Sequence, residues 1–228
     1  MTMETPEQVP ERHEIQEASS DEGLLETSVS MVSRPVPTLR RLTSTPRVGW
    51  AIVVTLVIAV ATSVLTAVQP ETTVAPQLPS QPGFSTEGMV EALGVVFAIL
   101  GPLFALGFLA IWTAILLGTS RLLGGRGGYA GLFTGLAFAG VPNIFSVPAQ
   151  LLPLALGGAG RALAGLVGLV IGIWVFVLGI LAVRENNDFT TGRAVAAVLI
   201  PVGVIILLVI VLGVVLVAMF AASLSGQG

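Results

Sequence analysis

Polar stretches alternate along this chain with five long apolar runs. Runs of about 18 or more apolar residues are typical of helices that cross a membrane. The first run, residues 48–68, carries no charge. As a helix it would be about 32 Å long, which is enough for the hydrocarbon core of a bilayer. The pattern predicts an all-α integral membrane protein, a bundle of five transmembrane helices. The predicted spans cover about residues 48–68, 92–118, 129–154, 162–183 and 194–222.

The third predicted span is the least regular, because Pro142, Pro148 and Pro153 fall in its second half. A proline removes a backbone hydrogen-bond donor, and an unwound membrane helix can line a binding cavity. Pro142 and Asn143 are therefore the candidate intramembrane kink and polar site. The other interpretation is a simple kink whose amide bonds to a neighbouring helix. A further alternative makes the proline-broken half re-entrant instead of fully crossing.

The segment before the first span divides by charge into two parts. Residues 1–33 hold eight acidic residues and are predicted to be a disordered acidic tail, since low hydrophobicity with like charge favours disorder. Residues 34–47 reverse the sign and form a basic juxtamembrane segment. Its arginines are candidate contacts for anionic lipid headgroups; they are Arg34, Arg40, Arg41 and Arg47.

Composition excludes several kinds of site. The chain has no cysteine and one histidine, His13 in the polar tail, so disulfides, thiolate nucleophiles and multi-histidine zinc sites are ruled out. No ionisable residue lies well inside a predicted span. The glycine-rich stretch GGRGG, residues 124–128, lacks the lysine of a phosphate-binding loop. We therefore expect no enzyme activity, no catalytic residue, no cofactor, no metal and no nucleic-acid partner.

Arginine placement predicts the orientation. With a cytoplasmic N-terminus, nine of the ten arginines fall on the cytoplasmic side, and only Arg161 lies outside. This distribution obeys the positive-inside rule. The expected location is the cell (plasma) membrane, with the loop 69–91, the turn 155–161 and the short tail 223–228 external.

The loop RENNDFTTGR, residues 184–193, is a polar island between the fourth and fifth spans. It concentrates four charged residues in a chain that is only 10% charged. Its charged side chains form the candidate cytoplasmic contact loop: Arg184, Glu185, Asp188 and Arg193. The simpler interpretation is that the loop only orients the two helices and starts the fifth.

Small residues at a spacing of four predict how two of the spans pack. In lipid, such faces let helix backbones approach closely. The two faces are Gly131, Gly135 and Ala139 in the third span, and Gly160, Ala164, Gly168 and Gly172 in and before the fourth. We expect these faces to contact each other.

Three blocks of the sequence resemble a known family. They are VPTLRRLTSTPRVGWAIVV at 36–54, GGRGGYAGLFTGLAFAGVPNIFSVPAQLL at 124–152, and IWVFVLGILAVRENNDFTTGRAVAAVLIPV at 173–202. Together they are similar to the bacterial branch of the Yip family, the Ypt/Rab-interacting five-span membrane proteins. The third block is the most specific, and the matching positions are Arg184, Glu185, Thr190, Gly192, Arg193, Ala194 and Pro201.

The resemblance implies a five-span bundle with the N-terminus inside. It does not imply a Rab partner, because the chain lacks the D-L-Y-G-P segment of the eukaryotic members. The favoured hypothesis is a non-enzymatic membrane protein that organises membrane or binds protein and lipid partners through cytoplasmic loops, alone or as a homo- or hetero-oligomer. The alternative is a transporter or permease-type subunit that uses the proline-broken third span.

Overall fold

The computed structural model describes residues 23–68 and 86–225. These residues fold almost entirely into helices. In chain order the elements are α1 Leu24–Ser33, α2 Pro35–Ser44, α3 Val48–Val68, α4 Thr86–Leu122, α5 Tyr129–Ala139, a short 3-10 helix Val141–Phe145, α6 Ser146–Ala149, α7 Leu152–Asn187 and α8 Thr191–Ser225.

Five segments are long and apolar enough to cross a membrane, which confirms the predicted all-α membrane bundle. They are Val48–Leu65, Ile99–Leu122, Tyr129–Ala149, Leu152–Asn187 and Thr191–Met219. Outside the third span, the large apolar side chains are mostly exposed on the outside of the bundle. In a bilayer these surfaces face lipid chains, which are as apolar as leucine.

Helix α5 lies at the centre of the bundle. It packs against α2, α3, α4 and α7, and every residue from Gly131 to Ala139 is buried. Of the most apolar 18 residues of the third span, 61% are buried inside the protein, whereas the corresponding stretches of the other four do not exceed 22%. Glycine and alanine at several α5 positions make this possible, because they let neighbouring backbones come close.

The third span is interrupted where its prolines begin. Helix α5 has 11 residues and is therefore about 16 Å long, half of a hydrocarbon core. It ends at Ala139, and the chain continues through the 3-10 helix and α6. Pro142 cannot donate a backbone hydrogen bond, so the α-helical pattern stops before it. The span is thus broken at Gly140 and does not bend as one helix.

The fourth span begins earlier than the sequence pattern suggested. A turn was expected at 155–161, yet α7 already starts at Leu152 and has Pro153 in its first turn. Inside the expected turn, only Gly157 leaves helical geometry, at φ 54° and ψ −127°. Glycine tolerates this positive φ because it has no Cβ. The helix therefore continues past a kink that glycine alone absorbs.

The predicted pairing of two glycine faces is wrong. Cβ atoms added at Gly168 or Gly172 would meet nothing within 4 Å, and a Cβ at Gly160 would meet the carbonyl of Leu152 in its own helix. Gly131 and Gly135 are in close contact, but with α2 and with the other end of α7. The four-residue spacing correctly predicted that α5 packs closely against other helices. It predicted the wrong surface of α7 as the partner.

The N-terminal helices α1 and α2 pack onto the bundle. Thr27 and Met31 of α1 and Leu39 of α2 are 1%, 0% and 0% exposed, and Met31 and Leu39 belong to the main core cluster with residues of α5 and α7. The predicted disordered tail therefore extends less far than residue 33, because the side chains facing α2 are buried. Residues 1–22, the rest of that tail, lie outside the described residues.

Candidate functional site

Three chain segments meet where the ends of the long helices gather. They are α2, the glycine-rich loop 123–128 and residues 184–190, which form the last turn of α7 and its link to α8. Arg121 and Arg126 also lie in this region, and we call it the arginine-rich end. Short connections between the helices hold their ends together here. Two sets of contacts, one ionic and one through asparagines, join the three segments.

Glu185 is the centre of the ionic contacts. Its Oε2 accepts a hydrogen bond from Arg40 Nε at 2.9 Å, and its Oε1 accepts two from Arg184, from Nη2 at 2.6 Å and from Nε at 3.0 Å. The Glu185 side chain is 6% exposed, against 26% for Arg184 and 73% for Arg40. One buried carboxylate thus ties α2 to the end of α7 through two arginines.

Glu185 lies two residues before the end of α7, whose 36 residues make a helix of about 54 Å, far longer than a hydrocarbon core of about 30 Å. The carboxyl at this end of the helix is held in the charged form. Burial alone would raise the pKa of this carboxyl, since charge is disfavoured away from water. The hydrogen bonds and positive charges of Arg184 and Arg40 outweigh that effect, so the pKa is lowered from its ordinary value of 4.5. The contact therefore acts as an ion pair at neutral pH.

Asn187 joins the glycine-rich loop to the same helix end. Its Oδ1 accepts a hydrogen bond from the backbone N–H of Gly127 at 3.1 Å, and its Nδ2 donates to the Val183 carbonyl at 2.9 Å. The loop can approach this closely only with glycine: a Cβ at Gly125 would lie 2.5 Å from Asn187 Oδ1, and one at Gly127 would overlap Asn186.

Asp188 ends α7. It adopts the left-handed conformation, φ 51° and ψ 40°, which asparagine and aspartate tolerate better than most residues. The N–H of the next residue, Phe189, donates to the Arg184 carbonyl at 3.0 Å, and the Phe189 ring is 8% exposed within the core cluster. Asp188 itself is exposed, and its left-handed backbone ends the helix.

The four charged residues predicted as one contact loop do not form one cluster. Arg184 and Glu185 are paired, whereas Asp188 and Arg193 are exposed and form no ion pair within the described residues. Arg193 lies on the first turn of α8. The loop thus supplies one structural ion pair and two side chains that are directed to solvent or headgroups.

The four basic juxtamembrane residues occupy different environments. Arg34 is exposed at the junction of α1 and α2. Arg40 pairs with Glu185, Arg41 donates to Thr27 Oγ1 at 3.5 Å, and the Arg47 guanidinium lies 4.3 Å from the Trp50 ring centroid. Arg40 and Arg41 therefore help to hold α1 and α2 in place, in addition to any contact with lipid.

Pro142 and Asn143 lie away from this region, in the interrupted third span. Pro142 is buried and Asn143 is partly buried. Asn143 borders a groove of about 360 Å³ between α3, α4 and the end of α5. The transporter hypothesis predicted a polar cavity here; the residues that line the groove include no ionisable side chain.

The asparagine pair and the glycines of the loop are the residues that sequence reasoning missed. Both lie in stretches that the sequence singled out, RENNDFTTGR and GGRGG, but sixty residues apart. A glycine cluster beside a helix end is a usable signal, because it marks close approach of another chain segment. Within the described residues, no three His, Asp or Glu side chains gather as a metal site would require.

Comparison with known proteins gives one match. A model of the Yip1 domain matches residues 29–222, from the middle of α1 to near the end of α8. No curated protein and no solved structure matches the chain significantly. The matched range holds the whole five-span bundle and the arginine-rich end, which is well over half of the 228 residues. The chain therefore belongs to the Yip1 domain family.

Proposed function

We propose that this chain is a non-enzymatic, multi-pass membrane protein that organises the membrane or binds protein and lipid partners at its arginine-rich end. One observation carries the proposal. Five arginines with exposed side chains decorate this end: Arg34, Arg40, Arg121, Arg126 and Arg193. Arg40 and Arg126 lie on two of the packed segments that Glu185 and Asn187 hold together, and the other three lie within three residues of these segments. The surface is therefore preformed, which lowers the entropic cost of binding.

Anionic lipid headgroups fit this surface. Arginine pairs with phosphate through two parallel hydrogen bonds, and each basic residue near a charged leaflet contributes about 1 kcal/mol to its attraction. The two exposed arginines of the glycine-rich loop region, Arg121 and Arg126, lie beside the bundle, where headgroups surround the helix ends. The proposed ligand is the phosphate of a lipid in the adjoining leaflet.

Lipid retention tests this proposal. The triple variant Arg34→Gln, Arg121→Gln, Arg126→Gln spares the Glu185 ion pair and removes three exposed charges. In nanodiscs of phosphatidylglycerol and phosphatidylcholine, native mass spectrometry should show anionic lipid retained by the unaltered chain. We expect retention to fall about fivefold for each arginine removed. Arg161→Gln is the matched control from the other end of the bundle. Equal retention by the triple variant would contradict the proposal.

We further propose that the arginine-rich end is cytoplasmic, in the plasma membrane of a cell of the bacterial type. The positive-inside rule supports this. Because the chain has no cysteine, single substitutions can be labelled without background. A membrane-impermeant maleimide on intact cells should label Arg161→Cys and should reach Asp188→Cys only after permeabilisation. The reverse pattern would overturn the orientation.

Protein partners, including a second copy, are the remaining part of the proposal. Crosslinking in native membranes followed by mass spectrometry should recover peptides of another protein joined to the loops 123–128 or 188–193. The Arg161 region serves as the internal reference. Recovery of crosslinks within one copy and of lipid alone would count against a protein partner and leave the lipid interaction as the function of this end.

A further inference from the structure

Helix α2 runs alongside α5 in the opposite direction. A Cβ added at Gly131, near the start of α5, would meet the Thr43 carbonyl, and one at Gly135 would meet both Thr43 and Leu39. The lower residue numbers of α2 therefore lie further along the third span. The first residue of α2 follows Arg34, where the backbone angles φ −138° and ψ 66° separate α1 from α2. This end of α2 is directed away from the start of the span.

Helix α1 also packs against the third span. It contacts α5 and the 3-10 helix Val141–Phe145, and its Met31 belongs to the same core cluster as Val141. We call α1 and α2 together the α1–α2 pair. Each helix has 10 residues and is about 15 Å long, half of a hydrocarbon core of about 30 Å. The pair therefore lies beside the part of the third span nearest the arginine-rich end and is too short to cross the bilayer.

Two sides of α1 have different surroundings. Thr27 and Met31, four residues apart, are 1% and 0% exposed and face the bundle. Leu25, Val29 and Val32 follow the spacing i, i+4, i+7 and so share another side of the helix. They are 80%, 68% and 37% exposed. Helix α1 thus carries an apolar stripe, these three residues, that the described part of the chain leaves largely uncovered.

Acyl chains are the surroundings that fit this stripe. Helix α1 packs against a span that crosses the membrane, so the stripe continues the apolar surface that the bundle presents to lipid. Acyl chains solvate leucine and valine as well as other aliphatic side chains do, whereas exposure of their apolar area to water is unfavourable. Residues 1–22 are a poor cover for the stripe, since they hold seven of the 13 acidic residues of the chain.

The polar groups near the stripe do not require water around the helix. Ser28 Oγ donates to the Leu24 carbonyl at 2.9 Å, and Ser33 Oγ donates to the Val29 carbonyl at 3.1 Å. Such bonds satisfy a hydroxyl within its own helix, as is needed in an apolar medium. Arg34 is exposed where α1 meets α2. The aliphatic part of an arginine can lie among acyl chains while its guanidinium reaches the headgroups.

We propose that the α1–α2 pair is inserted in the leaflet adjoining the arginine-rich end, where Leu25, Val29 and Val32 contact acyl chains just beneath the headgroups. Amphipathic helices bury their apolar faces to that depth, about 5–10 Å into the boundary between headgroups and acyl chains. The pair adds two helices to the five spans in this leaflet alone. The protein is therefore broader on its arginine-rich side, and the chain enters the membrane before its first span.

Quenching of a single fluorophore tests this depth in the full chain. The chain has no cysteine, so Val29→Cys carries one bimane label at a position that is already exposed. The labelled protein is placed in nanodiscs of phosphatidylcholine with or without bromine on the acyl chains, and iodide is the quencher in water. We expect brominated lipid to remove about half of the fluorescence and iodide to remove little, since the label lies about 5–10 Å into the boundary.

Two further labelled positions calibrate the result. Asp188 is exposed at the arginine-rich end, so Asp188→Cys should be quenched by iodide; Leu208 is exposed in the α8 span, so Leu208→Cys should be quenched by brominated lipid alone. If iodide quenches Val29→Cys as strongly as Asp188→Cys, the stripe lies in water and the proposal is overturned. If neither quencher acts, residues 1–22 or a second copy covers the stripe, which overturns it equally. The readout follows acyl chains, so it is independent of the arginine–phosphate contacts proposed above.

Discussion

Helices α5 and α8 lie at opposite extremes of burial. The span that contains α5 is the least apolar of the five and the most buried, whereas the α8 span is the most apolar, and its most apolar stretch of 18 residues has no buried residue. In a soluble protein the most apolar segments form the core. In this bundle the order is reversed, because lipid solvates the large aliphatic residues of α8 and small residues let α5 enter the centre. In this bundle the most apolar span is the one with the most contact with lipid.

Paired leucine truncations give the largest expected contrast between these helices. Leu132 in α5 is 0% exposed and Leu208 in α8 is 62% exposed. Leu132→Ala should lower the free energy of unfolding by about 2–5 kcal/mol, since it leaves a cavity. Leu208→Ala should change it little, because lipid fills the space. Unfolding by sodium dodecyl sulfate in mixed micelles measures both, and equal losses would break the comparison.

The opposite change, adding a methyl group to a glycine, also separates α5 from α8. A Cβ at Gly131 of α5 would lie 2.5 Å from the Thr43 carbonyl oxygen and from Asn186 Oδ1, whereas one at Gly213 of α8 would meet nothing within 4 Å. Gly131→Ala should destabilise the protein by about 1–3 kcal/mol through overpacking. Gly213→Ala should leave thermal stability, followed by size-exclusion chromatography, unchanged. A neutral Gly131→Ala would show that α2 does not pack there.

The attachment of α2 beside α5 depends on Glu185. Glu185→Gln should destabilise the protein by about 1–3 kcal/mol, since it leaves the half-buried Arg184 without its carboxylate. Arg40→Gln should cost only about 0–1 kcal/mol, because the Arg40 side chain is 73% exposed. Detergent unfolding of both variants measures the difference. A larger loss for Arg40→Gln would assign the attachment to the exposed pair instead.

Acid should reproduce part of the Glu185 effect, and this is the smallest expected change. The pKa of Glu185 is lowered from 4.5, so the stabilisation by its charge is fully present above pH 4.5 and is lost as pH falls through the lower value of the folded protein. The stability difference between the unaltered chain and Glu185→Gln should shrink below pH 4.5. A difference that stays constant down to pH 3 would contradict an ionised Glu185.

Sequence patterns predicted the spans better than their contacts. The apolar runs of α3, α4 and α8 predict those helices, because twenty or more uncharged apolar residues have few other stable states. Pro142 predicted an irregularity in the third span, but the position of the break, after Ala139, depends on the 3-10 geometry that follows. The packing of α1 was missed, because Thr27 and Met31 look like ordinary residues of a polar tail until α2 covers them.

The candidate site was predicted only in part, because most of its contacts join residues far apart in the sequence. Arg184 and Glu185 are neighbours in sequence, so their pairing is a local matter. Arg40 joins Glu185, and Asn187 joins Gly127, across long stretches of chain. No local periodicity carries such contacts, although a glycine cluster such as GGRGG can mark the close approach of another chain segment.

The separation of Arg40 and Glu185 by 145 residues sets the order in which the protein can be assembled. Helix α2 leaves the ribosome before α3, yet its binding surface on α7 is synthesised only after four spans have been made. Until then α2 can pack against α5 but lacks its contacts with the end of α7. The attachment of the first-made helices is therefore completed only late in translation, and a chain cut short before Glu185 would lack the ion pair that Arg40 forms.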